Sequence, residues 1–311
     1  MNTTSGAIVL AAALLLGEPA AEAAPDGGGD SLTIPFRLEH SRIIIPSSVN
    51  GSRPLALILD TGMPIEGAYL FHEEFVSEID TARAAVVRVP GAGAGEASTA
   101  LMVEDGVIAC GGYTVTGQRI IVSRSAHTQG FGSDGVIGRS LFGRHTLEVD
   151  FDREVIILHD TAVAAADSSW YAVPVTASNE LPFLQGEIET VPGEVVPVTV
   201  YVDLASRDAL ELLMRPGQRW TMPDSAESSY LGTGLSGDIS GYRGRVAKLR
   251  IGPYELSDVA AVFAPAEVRS KQKKADGILG CGLVMRFNVI FDLAHGVLYL
   301  KPSRHYGEPF R

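Results

Sequence analysis

A tandem repeat restricts this sequence more than any other feature. Asp134-Gly135-Val136-Ile137-Gly138 recurs as Asp276-Gly277-Ile278-Leu279-Gly280, 142 positions later. At the same offset Leu141 meets Leu283, Arg144 meets Arg286, Asp150 meets Asp292, and Val155 to Leu158 meet Val297 to Leu300. Gly111 and Tyr113 match Gly252 and Tyr254 one position short of that offset, and Asp60 matches Asp203 one position beyond it. The entry segments Ile34-Pro35-Phe36 and Val173-Pro174-Val175 correspond as well. Chance does not hold so many features in order, and a drift of a few residues is what loop insertions between shared strands produce. The chain therefore reads as two similar lobes, residues 24–165 and 166–311, joined near Asp160 to Asp167.

Both lobes consist of short apolar runs broken by Gly, Pro, Asn and Ser, with few stretches at helical period, so the expected class is all-β. Each repeats one layout. An entry strand leads to a strand ending on an acid, a glycine-rich middle, and a strand pair around Gly-Tyr. An apolar-apolar-Gly turn follows, then a short helical piece (Ser140 to His145; Gly282 to Phe287) and a closing strand pair.

The acids are the chemistry-bearing residues. Leu55-Ala56-Leu57-Ile58-Leu59 runs straight into Asp60-Thr61-Gly62, and Val195 to Val202 runs into Asp203-Leu204-Ala205-Ser206. A core strand should not end on an unpaired carboxylate, because a buried lone charge costs several kcal/mol, about 3–5 by analogy with broken buried pairs. Two such ends at matched repeat positions point to a pair sharing one proton. Asp60 as a turn-forming residue before Thr-Gly is the plainer reading of the same string.

Apolar-apolar-Asp-Thr-Gly followed about 75 residues later by apolar-apolar-Gly resembles the pepsin and retroviral-type aspartic proteases. Asp276-Gly277-Ile278-Leu279-Gly280 and the closing Arg286-Phe287-Asn288-Val289-Ile290-Phe291-Asp292 resemble the bacterial retropepsin-like branch. The likeness runs over residues 33–302 in two copies. It implies two β-barrel lobes with the active cleft between them, Asp60 and Asp203 as catalytic residues, and peptide hydrolysis by general acid–base chemistry with no metal or cofactor. It also implies that Thr61 braces the pair by bonding across to the other lobe, and that Gly62 allows a tight turn whose amide approaches Asp60. The second lobe departs from the pattern. Leu204 has no side-chain hydroxyl, Ala205 adds a Cβ, and the resemblance implies that Ser206, three residues after the acid, hydrogen-bonds the Asp203 carboxylate through its hydroxyl. The reading adopted is an aspartic endopeptidase; the alternative this departure raises is an impaired lobe, kept for packing or for binding a peptide or partner without cutting it.

The glycine-rich middles, Pro90 to Gly95 (with Gly93 and Gly95) and Gly232 to Gly237 (with Gly234 and Gly237), read as flaps over the cleft or as plain solvent loops. The second also satisfies Gly-x-Gly-x-x-Gly, but it neither leaves an apolar strand nor opens a helix, so a dinucleotide site is rejected. No Gly-x-Ser-x-Gly supports a serine hydrolase.

With 25 Lys+Arg against 37 Asp+Glu the net charge is −12, which argues against nucleic acid and anionic membrane as partners. Residues 1–23 read as a cleaved export signal, from the apolar stretch Ala7 to Leu16 and the small-x-small Ala21-Glu22-Ala23. A periplasmic or secreted protein is expected. Its internal pseudo-dimer makes a monomer sufficient, with a peptide or protein as substrate. Cys110 and Cys281 sit in apolar, glycine-rich contexts that suit buried free thiols. Seven scattered histidines show no metal-ligand spacing.

Overall fold

The structure is a computed structural model describing residues 31–63, 65–142, 145–160, 167–178, 181–269 and 274–311. The expected export signal and most of the expected join lie outside those residues. The described part is almost wholly β, in three sheets.

The apolar run Leu55–Leu59 is a strand because it can be buried on both faces. It pairs antiparallel with Ile43–Val49 and parallel with Gly135–Ile137. Leu57 and Leu59 point into the main core, while Ile58 joins a second apolar cluster with Tyr69, Phe71 and Val136. Lobe one continues outward through Gly67–Leu70, Tyr113–Ser123, Ser98–Cys110 and Ala85–Val89, giving an eight-stranded sheet. Pairing of Ile43–Val49 with Ser98–Cys110 curls that sheet towards closure.

Lobe two repeats the order strand for strand. Val195–Asp203 lies between Leu181–Glu189 and Gly277–Gly280, followed by Leu210–Met214, Tyr254–Pro265, Gly237–Ile251 and Glu227–Gly234. Leu181–Glu189 likewise pairs with Gly237–Ile251. The repeated aspartate of Asp-Gly-x-x-Gly has one job in both lobes. Asp134 Oδ2 accepts from the Ala56 amide at 2.7 Å, and Asp276 Oδ2 accepts from the Thr199 amide at 2.8 Å. Each carboxylate thus occupies an amide on the strand that carries an active-site candidate, and each has an arginine within 4 Å, Arg53 at 3.7 Å and Arg219 at 3.8 Å.

One feature differs from a pair of self-contained barrels. The entry strands and closing pairs do not finish the two lobes separately. They form a six-stranded sheet common to both, in the order Ser31–Pro35, Val155–His159, Thr146–Asp150, Phe287–Asp292, Val297–Pro302, Tyr171–Pro174. Its centre is the antiparallel contact of Thr146–Asp150 with Phe287–Asp292, where one lobe meets the other. Leu147, Val149, Val289 and Phe291 bury their side chains in a core that both lobes share. Asn288 ties the seam further: its Oδ1 accepts from the Phe151 amide and its Nδ2 donates to Asp152 Oδ2. The short helical pieces are single turns, Arg139–Phe142 and Cys281–Val284; the second is shorter than expected because Phe287 already belongs to the shared sheet. Both cysteines are free and buried. Among the described residues no helix is long and apolar enough to cross a membrane.

Candidate active site

Asp60 follows its strand directly and Asp203 is the last residue of its own. Each carboxylate is held by the turn it opens. The Gly62 amide donates to Asp60 Oδ1 at 2.7 Å, and the Met63 amide also bonds that carboxylate. In lobe two the Ala205 and Ser206 amides donate to Asp203 Oδ1 at 3.0 and 3.3 Å. Ser206 serves through its backbone, contrary to the expectation from its hydroxyl. The hydroxyl lies on the Gly280 side of the turn, 3.0 Å from where a Cβ on Gly280 would stand.

Gly62 brings the two acids together. Its amide binds Asp60, while a Cβ on the same residue would lie 3.0 Å from Asp203 Cγ and 3.1 and 3.2 Å from its oxygens. Both carboxylates therefore abut one glycine, and a Cβ there would crowd Asp203 by a few tenths of an ångström. Burial raises both above the ordinary carboxylate range. The Asp203 charge raises Asp60 further, and the Arg269 guanidinium partly offsets the rise at Asp203. Two buried like charges this close favour a state with one proton between them.

Thr61 bridges the lobes beneath the pair. Its hydroxyl donates to the Val202 carbonyl at 2.9 Å and accepts from the Leu204 amide at 3.0 Å. The mirror bridge is missing, because Leu204 offers only an alkyl chain. That chain is fully buried in the main core, so lobe two has exchanged a polar brace for packing. Ala205, at the position of Gly62, packs its methyl against the lobe-one cluster of Ile58, Met63 and Tyr69.

The glycine-rich segments are hairpin ends that meet across the lobes. The loop after Ala85–Val89 faces the turn between Glu227–Gly234 and Gly237–Ile251. The Gly95 amide donates to the Ser236 carbonyl at 2.6 Å, the Ser236 amide to the Ala92 carbonyl at 2.8 Å, and the Ala94 amide to the Asp238 carbonyl at 3.2 Å. Gly91 donates to Ser236 Oγ at 3.1 Å. Glycine is required by this approach. A Cβ on Gly93 would stand 2.4 Å from the Ser236 carbonyl carbon, and one on Gly234 2.2 Å from the Ala92 oxygen. Gly237 lies in the turn itself, at φ +97°. Leu235, at the tip, packs on the lobe-one cluster, and its carbonyl accepts from Ser98 Oγ and from His127 Nε2.

Beside Asp203 lies a charged pair that the sequence reading missed. Arg269 binds both Glu211 oxygens, at 3.1 and 2.8 Å, and its Nη1 is 3.7 Å from Asp203 Oδ2. Glu211 and Asp203 are buried and Arg269 is largely so, with side-chain exposures of 6, 9 and 16 %. The signal was in the repeat. Glu211 and Arg269 stand at the same 142-residue offset from Tyr69 and His127, so lobe two carries an ion pair where lobe one carries two aromatic rings. Only the differences between the two copies reveal it, since matched positions carry no trace of an ion pair present in one lobe alone.

An aspartic proteinase from Irpex lacteus has a solved structure that aligns with 90 % of this chain and all of its own, at 15 % identity and a TM-score of 0.60. The fold is that of the aspartic proteases. Residues 217–283 also match the family model described as aspartyl protease. That segment spans the lobe-two hairpin, Arg269 and the Ile278-Leu279-Gly280 turn, but begins after Asp203. No curated protein matches the chain in sequence.

Proposed function

We propose that this protein is an aspartic endopeptidase in which Asp60 and Asp203 act as one unit. The observation that carries the reading is Gly62, with one carboxylate bonded to its amide and the other 3.0–3.2 Å from where its Cβ would stand. One member of such a pair, ionised, takes a proton from a water. The other, protonated, gives its own to the oxygen of the scissile carbonyl. No covalent intermediate, metal or cofactor enters this route. An extended peptide would lie between the lobes and pair its backbone with the hairpins, which must part to admit it. The acidic surface suits a peptide or protein substrate rather than nucleic acid. The shared sheet supports a monomer as the working unit. Residues 1–23, outside the described residues, would direct it to the periplasm or the exterior.

The test is Asp60→Asn and Asp203→Asn against an unbiased peptide library, with folding checked by circular dichroism. Each substitution should abolish cleavage, and the double variant should be no worse than either single one. Near-normal turnover by Asp203→Asn would sink the assignment.

A second reading rests on Leu204 and on the closed hairpins: the same cleft binds a peptide or partner without hydrolysing it. Binding of a statine-type inhibitor together with cleavage supports the enzyme. Binding with no cleavage between about pH 3 and pH 9, a range that brackets the one-proton state, supports the binding protein.

A further inference from the structure

The two lobes are an internal control for each other, and they differ most in charge beside the acids. In lobe one Tyr69 lies opposite Val136 in the sheet, and in lobe two Glu211 lies opposite Ile278 at the corresponding step. His127 belongs to the turn Ala126–Gly130, and Arg269 to the corresponding turn Ala266–Arg269. His127 is spent on the Leu235 carbonyl, whereas Arg269 reaches inward to Asp203. Among the described residues no other cation pairs with Asp60; Arg269 also pulls Asp60 downward, but its close approach, 3.7 Å, is to Asp203.

We infer that Arg269 is a positioning residue that fixes the shared proton on Asp60 and leaves Asp203 as the ionised base. This rests on the reading of the two aspartates as one unit. Glu211 supplies the reason the guanidinium stays in place. Its two bonds orient the fork, and its charge compensates a cation that would otherwise be buried alone. The turn is anchored at its other side by the Gly93 amide donating to the Val268 carbonyl, so the closed hairpins hold Arg269 against Asp203.

The other groups facing Asp203 do not undo the bias. Tyr201 and Cys281 are neutral, because burial pushes both upward, Cys281 to about 12. Arg42 feels the Asp203 charge from the hairpin before Ile43–Val49, but it sits beside Arg207 and Asp208 and its pull adds in the same direction. Glu211 opposes the bias, and it is the less effective because its charge is engaged by the nearer guanidinium. A cation within about 4 Å lowers a carboxyl by about 1–3 pH units, and partial cancellation by Glu211 puts the expected effect near 1 unit.

The experiment titrates the carboxyl carbons of the full chain by ¹³C NMR with labelled aspartate, using Asp60→Asn and Asp203→Asn for assignment. In the native protein the lower step of the pair should belong to Asp203 and the upper step to Asp60. Arg269→Gln with Glu211→Gln keeps a hydrogen-bonded pair without charge and should raise the lower step by about 1 pH unit, the low end of that range. The acid limb of kcat/KM should follow it. Arg269→Lys retains the cation and should restore most of the native titration. A lower step on Asp60 in the native protein overturns the inference with no variant needed, as does an unmoved lower step in a folded double variant. If Asp203 ionises first but no peptide is ever cleaved, the bias stands and the protease reading falls.

Discussion

Thr61→Val tests the bridge between the lobes most directly. The hydroxyl makes two bonds, to the Val202 carbonyl at 2.9 Å and from the Leu204 amide at 3.0 Å. Thr61 is 3 % exposed, and Val202 and Leu204 are fully buried, so water cannot replace either bond. A buried donor or acceptor left unsatisfied costs about 1–3 kcal/mol. Two of them cost about 2–6, and the added methyl returns about 0.8 kcal/mol. A net loss of about 2–4 kcal/mol is the central expectation, read as a fall in Tm of roughly 4–8 °C for a chain of this size. Differential scanning calorimetry measures it, and the shared sheet should keep the transition single. Activity should fall as well, since the Asp203 turn would no longer be tied to the Asp60 turn. A Tm within 1 °C of the native value, the scale of a loss below about 0.5 kcal/mol, would mean the bridge is decoration and the argument is wrong.

Three further outcomes follow from the same geometry. Leu204→Thr with Ala205→Gly restores the usual motif, yet Leu204 fills core space, so a loss of about 2–4 kcal/mol with no rise in kcat is expected; a faster and equally stable variant would show that lobe two is merely degraded. Asp60→Asn should raise Tm near neutral pH but not in acid. The folded carboxyl lies above its ordinary 3.8, so the native state binds more protons than the unfolded one and stability falls as pH rises from the ordinary value to the folded one; equal gains at pH 3 and pH 7 would contradict this. Leu235→Ser removes a half-buried side chain from the hairpin contact, worth about 1 kcal/mol, so a statine-type inhibitor should associate about fivefold faster; an unchanged association rate would show that the hairpins are not the barrier to entry.

What could be read without coordinates was what is local or repeated. Alternating apolar runs and their punctuation give the all-β class, because side-chain direction in a strand is decided within a few residues. The duplication gives two lobes, and with them the matched positions of Asp60 and Asp203. The Asp134 and Asp276 carboxylates, visible only as repeated letters, gained their reason from the strand amides they bind. The flap glycines were legible as glycines but not as partners, since Gly93 and Ser236 come from different lobes.

Tertiary structure decided everything that depends on which distant segments meet. The closing strands merge into one sheet whose apolar side chains join a core common to both lobes, and no local pattern encodes that choice. Ser206 turned its amide rather than its hydroxyl to Asp203 because the backbone of the turn, not the residue type, aims the donors. Arg269 reads in the sequence as an ordinary basic residue before Ser270-Lys271. It becomes a buried neighbour of Asp203 only because the sheet brings Glu211, 58 residues earlier, to the same spot. A charge is admitted to a protein interior when its counter-charge is already there, and that condition is met in space rather than along the chain.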